Sequence, residues 1–175
     1  MPKMNLIDTH CHLDFETFAD DLDDIIKRAQ AAGVEKMITI STRMNKFSDL
    51  LNIANIYDCV SCSVGVHPCE VEEGGIIDIE GLLRNVDHAK VVGIGETGLD
   101  YFHDTEKAHA QLDSFMAHIE AARKSKLPLI IHSRNADDDM SSILEREMKK
   151  SSFNGVLHCF TGSMALAAKA IELVV

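Results

Sequence analysis

An α/β fold built on parallel strands is what this sequence predicts, and three observations carry the prediction. Short runs rich in Val, Ile and Leu alternate with stretches of helical period along the whole chain. The alternation repeats six times, at about 29 residues per unit, which is the size of a βα repeat. Four histidines and a glutamate stand at the C-terminal ends of those apolar runs, where parallel strands of a barrel assemble their chemistry. A complete (β/α)8 barrel takes ~250 residues, with ~200 as the low end. The 175 residues are therefore expected to form one domain, 1–175, folded as an incomplete TIM (β/α)8-type barrel with about six βα units.

The elements follow in order. Leu6 to Thr9 reads as the first strand. Leu22, Ile25, Ile26 and Ala29 share one face of a helix whose first turn gathers Asp20, Asp21, Asp23 and Asp24, a charge that suits the positive end of the helix dipole. Val34 to Ser41 is the second strand. Phe47, Leu50, Leu51 and Ala54 repeat the helical spacing, and Cys59 to Val66 is the third strand. Glu72-Glu73-Gly74-Gly75 reads as a loop, followed by a short helix around Ile79 to Leu83. Val91 to Gly95 is the fourth strand, and a long helix turns Leu112, Phe115, Met116, Ile119 and Ala122 inward. Leu129 to Ile131 is the fifth strand, ended by His132, and Met140, Ile143, Leu144 and Met148 mark another helix. Gly155 to Cys159 is the sixth strand. Ser163 caps a last helix that carries Ala167, Ala170, Ile171 and Val174.

Composition narrows the function. Hydrophobic residues make up 46 % of the chain and the mean hydropathy is near zero, as in a soluble globular domain. Without an apolar leader or an eighteen-residue apolar run, the reading is a cytoplasmic protein with no membrane role. Five cysteines are an odd set and do not suggest a disulfide framework. Cys59 and Cys62 have redox or zinc spacing, but positions three apart in a strand face opposite sides, so both read as core residues. A net charge of −11 excludes a broad basic groove for duplex DNA. It does not exclude a nuclease, because bound divalent ions can supply positive charge at the phosphate.

The chemistry starts at Asp8-Thr9-His10-Cys11-His12. Side chains alternate along a strand, so His10 and His12 face the same way, ~6.5–7 Å apart, and can bracket a divalent ion. Glu96 follows the fourth strand, His132 the fifth and His158 the sixth. On one barrel rim, four imidazoles and one carboxylate suit two ions that share the carboxylate, an arrangement used for phosphoester hydrolysis. Two cations polarise the scissile phosphate and stabilise the leaving oxygen, so no serine or cysteine nucleophile is needed. Arg134 has a donor fork that fits a phosphate or, equally, a surface ion pair. His67 reads either as a phosphate contact or as the cap of a His-Pro turn. Asp100 and Tyr101 read as supporting residues.

Five ordered motifs together resemble the TatD family of metal-dependent hydrolases. They are Asp8-Thr9-His10-Cys11-His12-Leu13-Asp14, Gly65-Val66-His67-Pro68, Gly95-Glu96-Thr97-Gly98-Leu99-Asp100-Tyr101, Ile131-His132-Ser133-Arg134 and Leu157-His158-Cys159-Phe160-Thr161-Gly162. The resemblance implies a TIM barrel of the amidohydrolase superfamily with divalent-metal-dependent nuclease activity on DNA or RNA ends. It also implies one metal on His10 and His12, another on His132 and His158, and Glu96 bridging them. Two departures accompany it. The family's further aspartate, in a Glu-Thr-Asp motif after strand eight, has no counterpart before Val175, and Asn135 stands where an aspartate is common. The metal beside His10 and His12 is accordingly expected to bind more weakly.

The expected activity is that of a deoxyribonuclease or exonuclease with Glu96, His67 and Arg134 as catalytic residues and two divalent ions, Mg, Mn, Zn or Ni. Two alternatives stay open. One is hydrolysis of an ester or C–N bond by the same metal chemistry. The other is an inert, truncated fragment that binds metal or a partner and self-associates through exposed strands one and six.

Overall fold

The computed structural model describes residues 5–72 and 78–173. Six parallel strands pair strictly in sequence order: β1 Leu6–Cys11, β2 Val34–Thr39, β3 Val60–Val64, β4 Val91–Asp100, β5 Leu129–Arg134 and β6 Gly155–Leu157. The helices are α1 Leu22–Ala31, α2 Phe47–Ile56, α3 Ile79–Val86, α4 Ala108–Ser125, α5 Asp137–Lys150 and α6 Met164–Leu173. Consecutive pairing without a strand-order reversal is barrel topology, and the sheet curls into an incomplete TIM-type barrel. No helix among the described residues is long and apolar enough to cross a membrane.

Periodicity finds each helix because the inward stripe is what binds it to the sheet. Ile26 of α1, Phe47, Leu50 and Ala54 of α2, and Met140, Ile143 and Leu144 of α5 are buried. In α6 Ala170 is buried as expected and Ala167 half-buried, but Leu166 completes the buried face in place of Ile171, which is exposed. Its cap forms as expected, Ser163 Oγ accepting from Leu166 N at 3.2 Å. Val174 and the Glu73 to Gly75 loop lie outside the described residues. Of three 3-10 turns on the strand-end side, Glu16–Phe18 and Met44–Lys46 have no counterpart in the sequence pattern, whereas Pro68–Glu70 is the His-Pro turn, with His67 as its cap.

Strand ends differ from expectation where they matter. β4 continues five residues past Gly95, so Glu96 lies within the strand, and β5 continues past His132 to Arg134. β6 stops at Leu157, leaving His158 just beyond it. The extra length of β4 follows from its pairing with β5 as far as Asp100↔Arg134. Gly98 makes that pairing possible. Its φ is +142°, and a Cβ there would lie 2.0 Å from the His132 carbonyl oxygen.

Not all of the interior is apolar. His118 of α4 is fully buried; its Nε2 accepts from Val66 N at 3.0 Å and its Nδ1 donates to Ser114 O at 2.7 Å. Burial pushes its pKa down to about 4. Gln111, also buried, ties α4 to the end of β4 by accepting from Asp100 N and donating to Asp100 O.

Candidate metal centre

β1 and β6 are the two edges of the sheet, and its curl brings their C-terminal ends together with those of β4 and β5 at the site. Glu96, 2 % exposed, lies at its middle. His10 Nε2 lies 3.1 Å from Glu96 Oε2. On the other carboxylate oxygen, Oε1, converge His132 Nδ1 at 2.9 Å, His158 Nε2 at 3.0 Å and His67 Nε2 at 3.7 Å. The His10 and His158 rings stack with centroids 3.7 Å apart, and His12 meets His10 edge-on at 5.3 Å. All five residues expected as ligands are thus brought together, and His67 joins them.

Two sets of donors lie within 4.8 Å of one another around Glu96: His10, His12 and Glu96, and His67, Glu96 and His132. His67, rather than His158, completes the second set. Its hydrogen bonding gives it another role, however. His67 Nδ1 accepts from Cys69 N at 3.2 Å, so a neutral ring carries its proton on Nε2, the nitrogen that faces Glu96. Burial lowers the His67 pKa to about 4, which keeps the ring neutral.

Electrostatics favour an ionised Glu96. Burial alone would raise its pKa, but hydrogen bonds from His10, His132 and His158 outweigh burial and hold it far below the carboxylate range. Burial likewise lowers the His12 pKa, reinforced by neighbouring His10. His132 moves the other way: burial opposes its charge, but hydrogen bonds to Glu96 and to Asp100 raise its pKa. Asp100 Oδ2 takes His132 Nε2 at 2.9 Å, which leaves Nδ1 to face Glu96. Such a carboxylate behind an imidazole is the usual way of orienting a metal-binding histidine.

The donor set fits divalent ions. Each nitrogen aimed at Glu96 must carry a proton or share a cation with the carboxylate, and several imidazoles around one carboxylate suit a metal better than a cluster of protons. Asp14 supports the fit, because its Oδ1 is buried on the same wall without a hydrogen-bond partner.

These residues line a cavity of about 750 Å³. Sequence reading missed much of its wall: Phe15, Arg43, Lys46 and Glu70. Arg43 makes a two-pronged pair with Glu70, Nε to Oε2 at 2.7 Å and Nη2 to Oε1 at 2.8 Å. Phe15, about half exposed, stacks on His12 at 5.0 Å. The strand-end rule that finds His132 also applies to Arg43, shortly after β2. Arg134, by contrast, lies outside this wall with its guanidinium 4.4 Å over the Phe102 ring. Asn135 adopts φ +54°, a left-handed conformation that asparagine tolerates better than most residues.

Residues 7–175 match the family model described as TatD related DNase. The chain belongs to the TatD-related DNase family. It is 37 % identical over 173 residues to the uncharacterized metal-dependent hydrolase YcfH of Escherichia coli K12, covering 97 % of this chain and 64 % of that protein. It is 37 % identical over 164 residues to the deoxyribonuclease Tat-D of Schizosaccharomyces pombe, covering 87 % of this chain and 53 % of that protein. The crystal structure of YJJV, a TatD homologue from Escherichia coli K12, superposes with a TM-score of 0.86 at 34 % identity, covering 96 % of this chain and 65 % of that one. This TatD-family chain spans 64 %, 53 % and 65 % of the length of these three relatives.

Proposed function

We propose that this TatD-family chain serves divalent-metal-dependent hydrolysis of phosphodiester bonds at DNA or RNA ends. The observation that carries the reading is Glu96, nearly inaccessible, with imidazoles from separate strand ends on both of its oxygens. His10 and His12 would hold one ion and His132 and His158 the other, with Glu96 as the carboxylate common to both. Divalent ions held there, Mg, Mn, Zn or Ni, would supply the Lewis acidity for activating water and stabilising the leaving oxygen.

The chain's own residues orient the substrate. Neutral His67 presents its Nε2 proton to a phosphoryl oxygen. Arg43, held by Glu70, and Lys46 supply positive charge to a phosphate in the cavity. Phe15 offers an exposed ring face for a terminal base. That pairing of a base-stacking ring with cations beside Glu96 favours a nucleotide end over a lactone or an aminoacyl group. Arg134, set over Phe102 outside the cavity, meets the backbone of a longer substrate away from the scissile bond.

The test is incubation of the chain with a single-stranded oligonucleotide and each of Mg²⁺, Mn²⁺, Zn²⁺ and Ni²⁺. Mononucleotide release that Glu96→Ala abolishes is the expected result. Turnover of ester or amide substrates alone would favour the C–N or ester reading; metal binding without any turnover would favour the inert fragment. Leu6 and Ile7 of β1 and Val156 of β6 are exposed, and self-association through these edge strands forms part of the proposal. A monomer in sedimentation at working concentration would remove that part.

A further inference from the structure

Beside the Glu96 cluster lies a second group of donors, which shares with the hydrolytic reading only Asp100, the carboxylate behind His132. Cys69 comes from the turn after β3, Asp100 from the end of β4, and His103 from the segment that follows it. One donor atom of each lies within 4.8 Å of the others. Among the described residues it is the one such metal-capable group that does not include Glu96. We propose that Cys69 Sγ, an Asp100 carboxylate oxygen and a ring nitrogen of His103 form a separate binding site for one borderline-soft divalent ion such as Zn²⁺ or Co²⁺.

Three features support this assignment. The donors are chemically mixed. A thiolate, an imidazole and a carboxylate together discriminate against Mg²⁺ and Ca²⁺, which prefer all-oxygen shells, and suit zinc-like ions. The fixed member is already rigid: Asp100 is fully buried, and its Oδ1 accepts from Phe102 N at 3.0 Å and His103 N at 2.9 Å. The mobile member supplies the way in. His103 has a side chain 55 % exposed, with Nδ1 2.9 Å from Asp100 Oδ2. Binding replaces that hydrogen bond by a shared ion, releases the Sγ proton to solvent, leaves the imidazole proton on the ring nitrogen that does not bind, and keeps a fourth position toward water. Three protein donors with an open position make a familiar zinc arrangement.

Asp100 Oδ2 faces His103 on one side and His132 Nε2 on the other. An ion at Cys69 therefore draws on the same oxygen that orients a histidine of the main centre.

Co²⁺ titration of the full chain reads the site directly. A sulfur-to-cobalt charge-transfer band in the near ultraviolet is expected, saturating with one equivalent, displaced by Zn²⁺ and indifferent to Mg²⁺. Cys69→Ser should abolish that band while leaving the visible cobalt bands of the histidine cluster. His103→Ala, at an exposed position, should raise the Co²⁺ concentration for half-saturation of the band at least tenfold, and it serves if Cys69→Ser does not fold. No charge-transfer band in the intact chain, a band that survives Cys69→Ser, or one unaltered by His103→Ala would each overturn the proposal. None of these readouts depends on nuclease activity, so this site and the proposed reaction stand or fall separately.

Discussion

Asp100 Oδ2 lies 2.9 Å from His132 Nε2, on the far side of the ring from Glu96. The carboxylate must accept, so His132 donates from Nε2 and its Nδ1 is the nitrogen available to an ion beside Glu96. Replacement by asparagine keeps an acceptor for the Phe102 and His103 amides but removes the charge behind His132. Asp100→Asn is expected to lower Mn²⁺ affinity at the histidine cluster by about 10- to 100-fold, measured by calorimetric titration. Unchanged affinity would show that His132 is oriented by packing alone.

Arg43 and Arg134 should behave differently. Arg43 lines the cavity beside Glu96, whereas Arg134 lies over Phe102 outside it. Arg43→Ala should raise KM for an oligonucleotide by roughly tenfold or more, the loss of one charged hydrogen-bonding contact. Arg134→Ala should change it by less than about threefold, within the range of an exposed charge. Steady-state kinetics on both variants would reject the assignment if the order were reversed.

His118 sets an acid limit to stability. Its folded pKa is pushed down to about 4 by burial, whereas in the unfolded chain it titrates near 6.5. Above about 6.5 neither state is protonated there and the residue costs nothing. As pH falls from about 6.5 to about 4, the unfolded chain takes up a proton that the folded chain refuses, and up to about 3 kcal/mol is lost. Urea denaturation of His118→Gln should show a shallower decline over that interval than the parent. Parallel profiles would mean that His118 is accommodated in its charged form.

Gly98 is where β4 can approach β5 closely enough to seat His132. With φ +142° and a Cβ position 2.0 Å from the His132 carbonyl oxygen, any side chain collides with backbone. Gly98→Ala should cost about 3 kcal/mol or more, and weaken metal binding as well, because the strand that moves carries His132. Denaturant midpoints and metal titration on the same variant would check both effects.

Much was legible from local pattern. The period of apolar residues located all six strands and six helices, since burial of one face is what each element contributes to the sheet. His10, His12, Glu96, His132 and His158 were legible because a parallel barrel brings strand ends to one rim whatever their separation in sequence. In α6 the pattern locates Ala170 but puts Ile171 inward where Leu166 is the buried residue, because a small helix of Ala and Leu gives a weak phase.

The sequence by itself determined the fold class, the family and the set of imidazoles around one carboxylate. Only the tertiary structure decided which nitrogen of each ring faces Glu96, that Arg43 rather than Arg134 borders the cavity, and that Cys69 and His103 meet at Asp100. The reason is physical. Periodicity reports which face of an element is buried, a property of neighbours in sequence. Contacts between loops depend on strand register and sheet curl, and those are set by side chains far apart in the chain, such as Gly98 against His132.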